Sequence, residues 1–221
     1  MRKYIYSIFL LGLFSCQEEG VVQYTQEKDG LQFSANSSED MTKVFNFATA
    51  TYEEEINGEP KTFYYGDSLA AYTFERVVLD LQGFPTPDER EYKLKTVLVE
   101  DQDSSKVAEV VFEPYYSLAP NQLKDTIKIT VLRPKTRGTY TVGITVDTEG
   151  KGAFFDKGVV EKSILRLDIK DVYEQPEGWD ERQEWLGEFD EEKYAFMVTV
   201  SKQAFSKENN HMWNERSEER R

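Results

Sequence analysis

Three sets of residues in this chain have side chains that could do chemistry. The first is aromatic. Tyr64-Tyr65, Tyr115-Tyr116, and Trp179 with Trp185 offer ring faces that could stack on the C–H faces of sugar rings. Adjacent residues of a strand point to opposite sides, so one tyrosine of each pair should be exposed if both pairs lie in strands. The same rings would serve equally well as core and rim packing. The second set is acidic: Asp101 and Asp103 in one loop, Asp147 and Glu149 in another. Hard oxygen ligands from two loops at one end of a domain could hold Ca2+, although aspartates also recur in turns for local backbone reasons. No EF-hand spacing is present, and Ca2+ is the one cofactor the acids suggest. The third is a single cysteine, Cys16.

Other chemistries have little to work with. One histidine, His211, stands in a polar tail, so a His-based zinc site or a histidine-supported triad cannot be built within a folded body. Neither a Gly-x-Ser-x-Gly elbow nor a Gly-x-Gly-x-x-Gly loop occurs. Forty-one acids guarantee some close carboxylate pairs, and a glycoside hydrolase needs one such pair across a cleft. The runs Glu53-Glu54-Glu55 and 188–192 read instead as solvated charge. With no catalytic constellation, the expectation is a binding protein and not an enzyme.

Cys16 closes an N-terminal segment of Arg2, Lys3 and an apolar run over residues 4–14. That run is shorter than the roughly 20 residues a membrane-spanning helix needs, and the order is that of an export signal. Leu13-Phe14-Ser15-Cys16 resembles the lipobox of bacterial lipoproteins, with Phe14 bulkier than usual at its place. The resemblance implies a signal peptide over residues 1–15. It also implies acyl chains such as palmitate on Cys16 and a chain attached to a membrane by lipid. Removing residues 1–15 takes away Arg2 and Lys3 and carries the formal charge from −14 to −16. Lys and Arg supply sequence-independent affinity for nucleic acid, so nucleic acid is excluded as a partner. Residues 16–30 read as an acidic tether. Gln17-Glu18-Glu19 resembles the signal for display on the outer face of the outer membrane, the alternative being a plain solvated spacer.

The elements that would position the aromatic and acidic groups read as strands. Tyr72, Phe74, then Val77, Leu79 and Leu81 keep period 2, with a register change at Glu75-Arg76 that predicts a bulge. Tyr92, Leu94, Thr96 and Leu98 alternate, as do Ile127, Ile129, Val131; Tyr140, Val142, Ile144, Val146; and Leu165, Leu167, Ile169. Further candidates cover residues 44–50, 62–65 and 109–112, with turns at Asn57-Gly58, residues 83–87 and Ala119-Pro120-Asn121. Eight or nine short strands without helical patterning predict an antiparallel β-sandwich over residues 31–175. Residues 176–205 read as a partly helical segment. In it Asp180 would cap a short helix, Gly187 would stop it, and residues 193–205 lean to helix. Residues 206–221 read as a polar tail, expected to be disordered.

Residues 112–133, from Phe112-Glu113-Pro114-Tyr115-Tyr116 to Val131-Leu132-Arg133, resemble a strand–turn–strand of Calx-beta-like and immunoglobulin-like sandwiches. Pro176-Glu177-Gly178-Trp179, Trp185-Leu186-Gly187-Glu188-Phe189 and Lys193-Tyr194-Ala195-Phe196-Met197 resemble the C-terminal signature of an uncharacterised family of Bacteroidota-type surface lipoproteins. Leu186-Gly187-Glu188-Phe189-Asp190 departs from that family's usual lysine-tyrosine turn. The resemblance implies an accessory role beside outer-membrane glycan-uptake transporters and neighbouring lipoproteins. On it rests the expectation of a surface module that captures a glycan or other polymer. The alternative is a structural subunit packed against an outer-membrane uptake complex.

Overall fold

The computed structural model describes residues 28–35, 41–149 and 153–201. Cys16, the signal segment, most of the tether, His211 and the polar tail lie outside the described residues. Thirteen strands occur among those described. They are β1 (Gly30–Phe33), β2 (Thr42–Asn46), β3 (Thr51–Ile56), β4 (Glu59–Tyr64), β5 (Ala71–Gln82), β6 (Arg90–Tyr92), β7 (Leu94–Val97), β8 (Val110–Val111), β9 (Tyr116–Leu118), β10 (Lys124–Leu132), β11 (Gly138–Val146), β12 (Asp156–Lys157) and β13 (Leu165–Asp171). Helices α1 (Gln183–Leu186) and α2 (Glu191–Ser201) follow. The chain is mainly β with a short helical C-terminal segment, as the alternation predicts.

Two sheets, ordered β12-β1-β5-β10-β8 and β2-β13-β11-β7, face each other. Period 2 places Val77, Leu79, Leu81, Ile127, Ile129 and Val131 of one sheet against Val142, Ile144, Val146, Leu165, Leu167 and Ile169 of the other in one buried cluster. The pairing is not antiparallel throughout. β1–β12 and β2–β13 run parallel, because each edge strand enters from a loop and its direction leaves no trace in its alternation. The expected bulge is present: Ile127 pairs Val77 while Ile129 pairs Phe74, so Glu75 and Arg76 oppose Lys128 alone.

One predicted strand breaks. Tyr92 and Leu94 are buried, but Thr96 and Leu98 are exposed while Val97 and Val99 are half-buried. Gly143 explains the switch, since a Cβ there would lie 2.7 Å from Val99 Cγ1 and 2.9 Å from Val97 Cγ2. Its bare backbone lets those valines and Ile164 close over the outer side of the sheet.

The two ends of the sandwich differ. Gly30 pairs Gln82, Lys124 pairs Asp80, and Val146 pairs Leu94 at the end where the chain enters. At the far end Ala71 pairs Leu132 and Gly138 pairs Asp171. There Arg133 crosses between sheets, its Nε and Nη2 bonded to the Asp171 carboxylate at 3.0 and 2.8 Å. Arg133 also donates to Gly66 O at 3.0 Å and Asp67 at 2.9 Å.

The C-terminal segment docks on this far end. Ala48, Tyr173, Trp179, Tyr194 and Val198 form a second buried cluster, joined by Tyr64, Leu186 and Phe189. Asp180 is not the helix cap; its carboxylate accepts from Gln175 at 2.7 Å. Gly187 does end α1, at φ 71, and Asp190 caps α2 by accepting the Lys193 N–H at 2.8 Å.

Candidate functional site

The far end carries a cluster of aromatic rings on a hairpin. β3 and β4 form a two-residue hairpin around Asn57-Gly58, both at positive φ (58 and 83), the type I′ geometry that matches strand twist. Ile56 pairs Glu59, so the register brings Tyr52 opposite Phe63 and Thr51 opposite Tyr64. On one side of the hairpin Tyr52 and Phe63 stack at 5.5 Å and 25°, and Tyr65 lies 4.6 Å from Tyr52 at 45°. Tyr52 is 38% exposed; Phe63 and Tyr65 are half-buried. Three rings on one side of a solvated hairpin present a platform on which a sugar ring or another flat apolar face can stack. Glu54 shares that side of β3 with Tyr52, because alternate residues of a strand point the same way. Its carboxylate is an acceptor beside the rings.

The opposite side of the hairpin faces inward. Tyr64 O–H donates to the Ala48 carbonyl at 2.6 Å, so Tyr173 O–H must donate to Tyr64 at 2.7 Å. Burial, and then Tyr173, raise the Tyr64 hydroxyl above its usual range. Tyr64 is therefore a packing residue, and Tyr65, equally half-buried, lies against Tyr52 instead. The hairpin is held by its turn: Tyr65 N–H donates to Ala50 O at 3.1 Å, and Arg133 grips Gly66 and Asp67 immediately after it.

The second pair divides the same way. Tyr116 is 8% exposed and stacks on Tyr92 at 5.5 Å, while Tyr115 is 56% exposed. Tyr92 O–H donates to Asp125 at 2.6 Å, and burial with that carboxylate pushes its ionisation upward. The tryptophans also separate. Trp179 is 1% exposed; its Nε1–H donates to Gly187 O at 3.1 Å and its ring meets Phe189 and Tyr194 edge-on. It is a core residue and not a ligand platform, because the C-terminal segment folds back over it. Trp185 is 74% exposed. Neither Tyr115 nor Trp185 has a ring partner among the described residues.

The calcium candidates do not converge. Gln102, between Asp101 and Asp103, donates to Thr141 O at 2.5 Å, whereas Asp147 N–H donates to Lys93 O at 2.8 Å. Thr141 and Asp147 are six residues apart on and just past β11, about 20 Å at strand rise. The two loops thus lie at opposite ends of β7. Asp103 accepts from Ser105 N–H and Oγ at 2.9 and 2.7 Å. Asp147 and Glu149 share Lys95 at 3.2 and 3.1 Å, and the Glu149 N–H with Lys95 holds the Asp147 carboxyl below its usual range. Among the described residues no group of three or more His, Cys, Asp or Glu is placed to hold a metal ion.

Sequence reasoning overlooked Tyr52 and Phe63. The signal was available, since a two-residue Asn-Gly turn fixes the register that pairs them. The run of glutamates in β3 hid the strand.

A family model described as a domain of unknown function (DUF4843) matches residues 67–203, which include the 112–133 and 176–197 stretches. Among solved structures the chain is similar to the apo form of the Calx CBD1 domain, at 12% identity and a TM-score of 0.38, covering 66% of this chain and 98% of that one. It is similar also to Bacteroides thetaiotamicron EndoBT-3987 with Man5GlcNAc product, at 11% identity and TM-score 0.37, covering 64% of this chain and 30% of that one. A Bacteroides ovatus GH5 xyloglucanase in complex with a XXXG heptasaccharide gives 13% identity and TM-score 0.30, covering 67% of this chain and 22% of that one. No curated protein matches the chain. At such TM-scores the structural likenesses carry no argument about activity.

Proposed function

The chain belongs to the family described as a domain of unknown function (DUF4843), whose model spans more than half of it, and within it we propose a lipid-tethered, non-enzymatic binding module. The observation that supports this reading is the Tyr52–Phe63–Tyr65 platform at the end of the sandwich opposite the chain's entry. A membrane attachment through Cys16 would place the entry end toward the lipid and leave the platform pointing outward. The ligand class that suits stacked rings bordered by a carboxylate is a glycan, and the setting is the outer face of an outer membrane. The sandwich is then a rigid spacer that presents the hairpin.

Affinity electrophoresis of residues 17–221 in gels cast with host and plant polysaccharides tests the glycan reading. Retardation by one of them is expected. A Tyr52→Ala/Tyr65→Ala variant, which leaves both buried clusters intact, should lose at least about tenfold in affinity, taking for a sugar face the roughly 1–3 kcal/mol that a nucleobase gains by stacking on one aromatic. No retardation by any polysaccharide, or retardation unchanged in the variant, removes this reading.

The tether is tested separately. Cys16→Ser in the full chain should remain unprocessed and sediment less with membranes, because two or three buried acyl chains supply the attachment at about 0.8 kcal/mol per methylene, one alone being marginal. A variant still processed and still sedimenting in the same amount overturns the lipid anchor.

A second reading, a structural subunit of an uptake complex, is favoured by Phe196 and Val200. These stand i, i+4 on one face of α2, both strongly exposed. A stoichiometric partner retained after mild detergent extraction supports it over glycan capture.

A further inference from the structure

We infer that the cleft where β1 and β5 of one sheet meet β2 and β13 of the other binds a small oxyanion, a carboxylate or sulfate group, through Lys43 and Arg76. β1 pairs β5 only from Leu79 to Gln82, and Ser34 N–H adds one bond to Val78 O at 2.8 Å. Beyond that point β5 has no partner on its β1 side among the described residues. β2 is the edge strand of the facing sheet, so among those residues the sandwich is open here. The opening is a cleft of about 150 Å³ with Phe33, Val77 and Leu165 as its buried apolar floor, and Ser34, Lys43 and Arg76 as its polar lining.

Both cations are available. None of the ion pairs among the described residues uses Lys43 or Arg76, and Glu75 and Asp168, the described carboxylates beside them in sequence or register, have other partners. Glu75, which shares the bulge with Arg76, is bonded to Lys128 at 2.5 Å. Asp168, paired with Val44 next to Lys43, accepts from Arg166 Nε at 2.9 Å and Thr141 Oγ1 at 2.8 Å. The bulge interrupts the alternation of β5 at Arg76, which lines the cleft. In a chain of net charge −14, a pair of unneutralised cations over an apolar floor is a local exception. A guanidinium fork and an ammonium are the donors that oxyanions select.

The cleft has room for an oxyanion together with several waters, each needing about 10–15 Å³ of such space. The site is separate from the hairpin platform, and loss of either leaves the other standing.

The test is an amide and arginine Nε NMR titration of residues 17–221 with sodium sulfate and, in parallel, sodium glucuronate, with chloride exchanged to hold ionic strength constant. Saturable shifts confined to Ser34, Lys43, Arg76 and Val77 are expected for at least one probe. Sulfate alone would identify a tetrahedral ion as the ligand, and glucuronate alone a sugar carboxylate. Arg76→Gln and Lys43→Gln should each weaken binding about tenfold, the value of a hydrogen bond to a charged group, with the rest of the spectrum unchanged. Three results overturn the inference. They are no saturable shift with either probe, equal shifts at Lys135 and Lys157, or saturation only in a Glu39→Gln/Asp40→Asn variant, which would show the cations already engaged within the chain.

Discussion

Trp179→Ala should cost about 3–5 kcal/mol, the range for removing a fully buried indole, and the loss should fall on one part of the molecule. Trp179 packs with Ala48, Tyr173, Tyr194 and Val198, bordered by Tyr64, Leu186 and Phe189, in a cluster apart from the main core. Its ring N–H also satisfies the Gly187 carbonyl where α1 ends. α2 meets the rest of the molecule through the buried Tyr194 and Val198 of this cluster. It therefore depends on this contact. Native-state hydrogen exchange should show the Tyr194 and Val198 amides unprotected in the variant, while Ile129 in β10 and Ile144 in β11 keep their protection. Unchanged exchange in α2, or loss of protection everywhere at once, would contradict a separately docked segment.

Arg133→Met should cost a similar amount, about 3–5 kcal/mol, for an electrostatic reason. The Asp171 side chain is 5% exposed. Without Arg133 its nearest cation is Arg137 Nη1 at 3.9 Å. A buried carboxylate that loses its partner keeps the full cost of leaving water. Asp171 is also what raises the Arg133 guanidinium further above its usual range. Replacing both, as Arg133→Met/Asp171→Leu, should recover most of the stability, because apolar groups in place of a whole ion pair are commonly neutral or better. Urea denaturation of the four proteins of that cycle measures it. A single-variant cost under about 1 kcal/mol, or a double variant no better than the single, would contradict the assignment. Arg133 holds Gly66 and Asp67 directly after Tyr65, so both variants should also loosen the hairpin platform and weaken polysaccharide retardation.

The inward faces of β5, β10, β11 and β13 were legible in the sequence, because one side of each strand is buried and period 2 follows from that. The Glu75-Arg76 bulge and the Gly187 stop were legible for local reasons, a broken alternation and a glycine at positive φ. One tyrosine of Tyr115-Tyr116 is exposed as expected, although Tyr115 stands just before β9 and not in a strand. Other features depended on contacts that the sequence does not encode locally. An exposed tryptophan and a core tryptophan look alike in a segment without alternation, so Trp179 and Trp185 could not be told apart. Whether Asp101 and Asp147 share an end depends on the β7–β11 register. Asp180 looked like a cap because helix boundaries are set by the turn at Gly178 and the ring beside it. β3 was concealed by three glutamates, which its exposed position in the hairpin tolerates. Edge directions were invisible, hence the two parallel pairs.

The central claim is that the hairpin grips a glycan and does not cut it. Titration calorimetry of residues 17–221 with the polysaccharide that retards them decides this in one experiment. A heat that saturates, returns to baseline after each injection, and disappears in Tyr52→Ala/Tyr65→Ala is the outcome expected. A heat flow that persists at constant level after mixing, the signature of turnover, would contradict it, as would a saturating heat that the double variant retains.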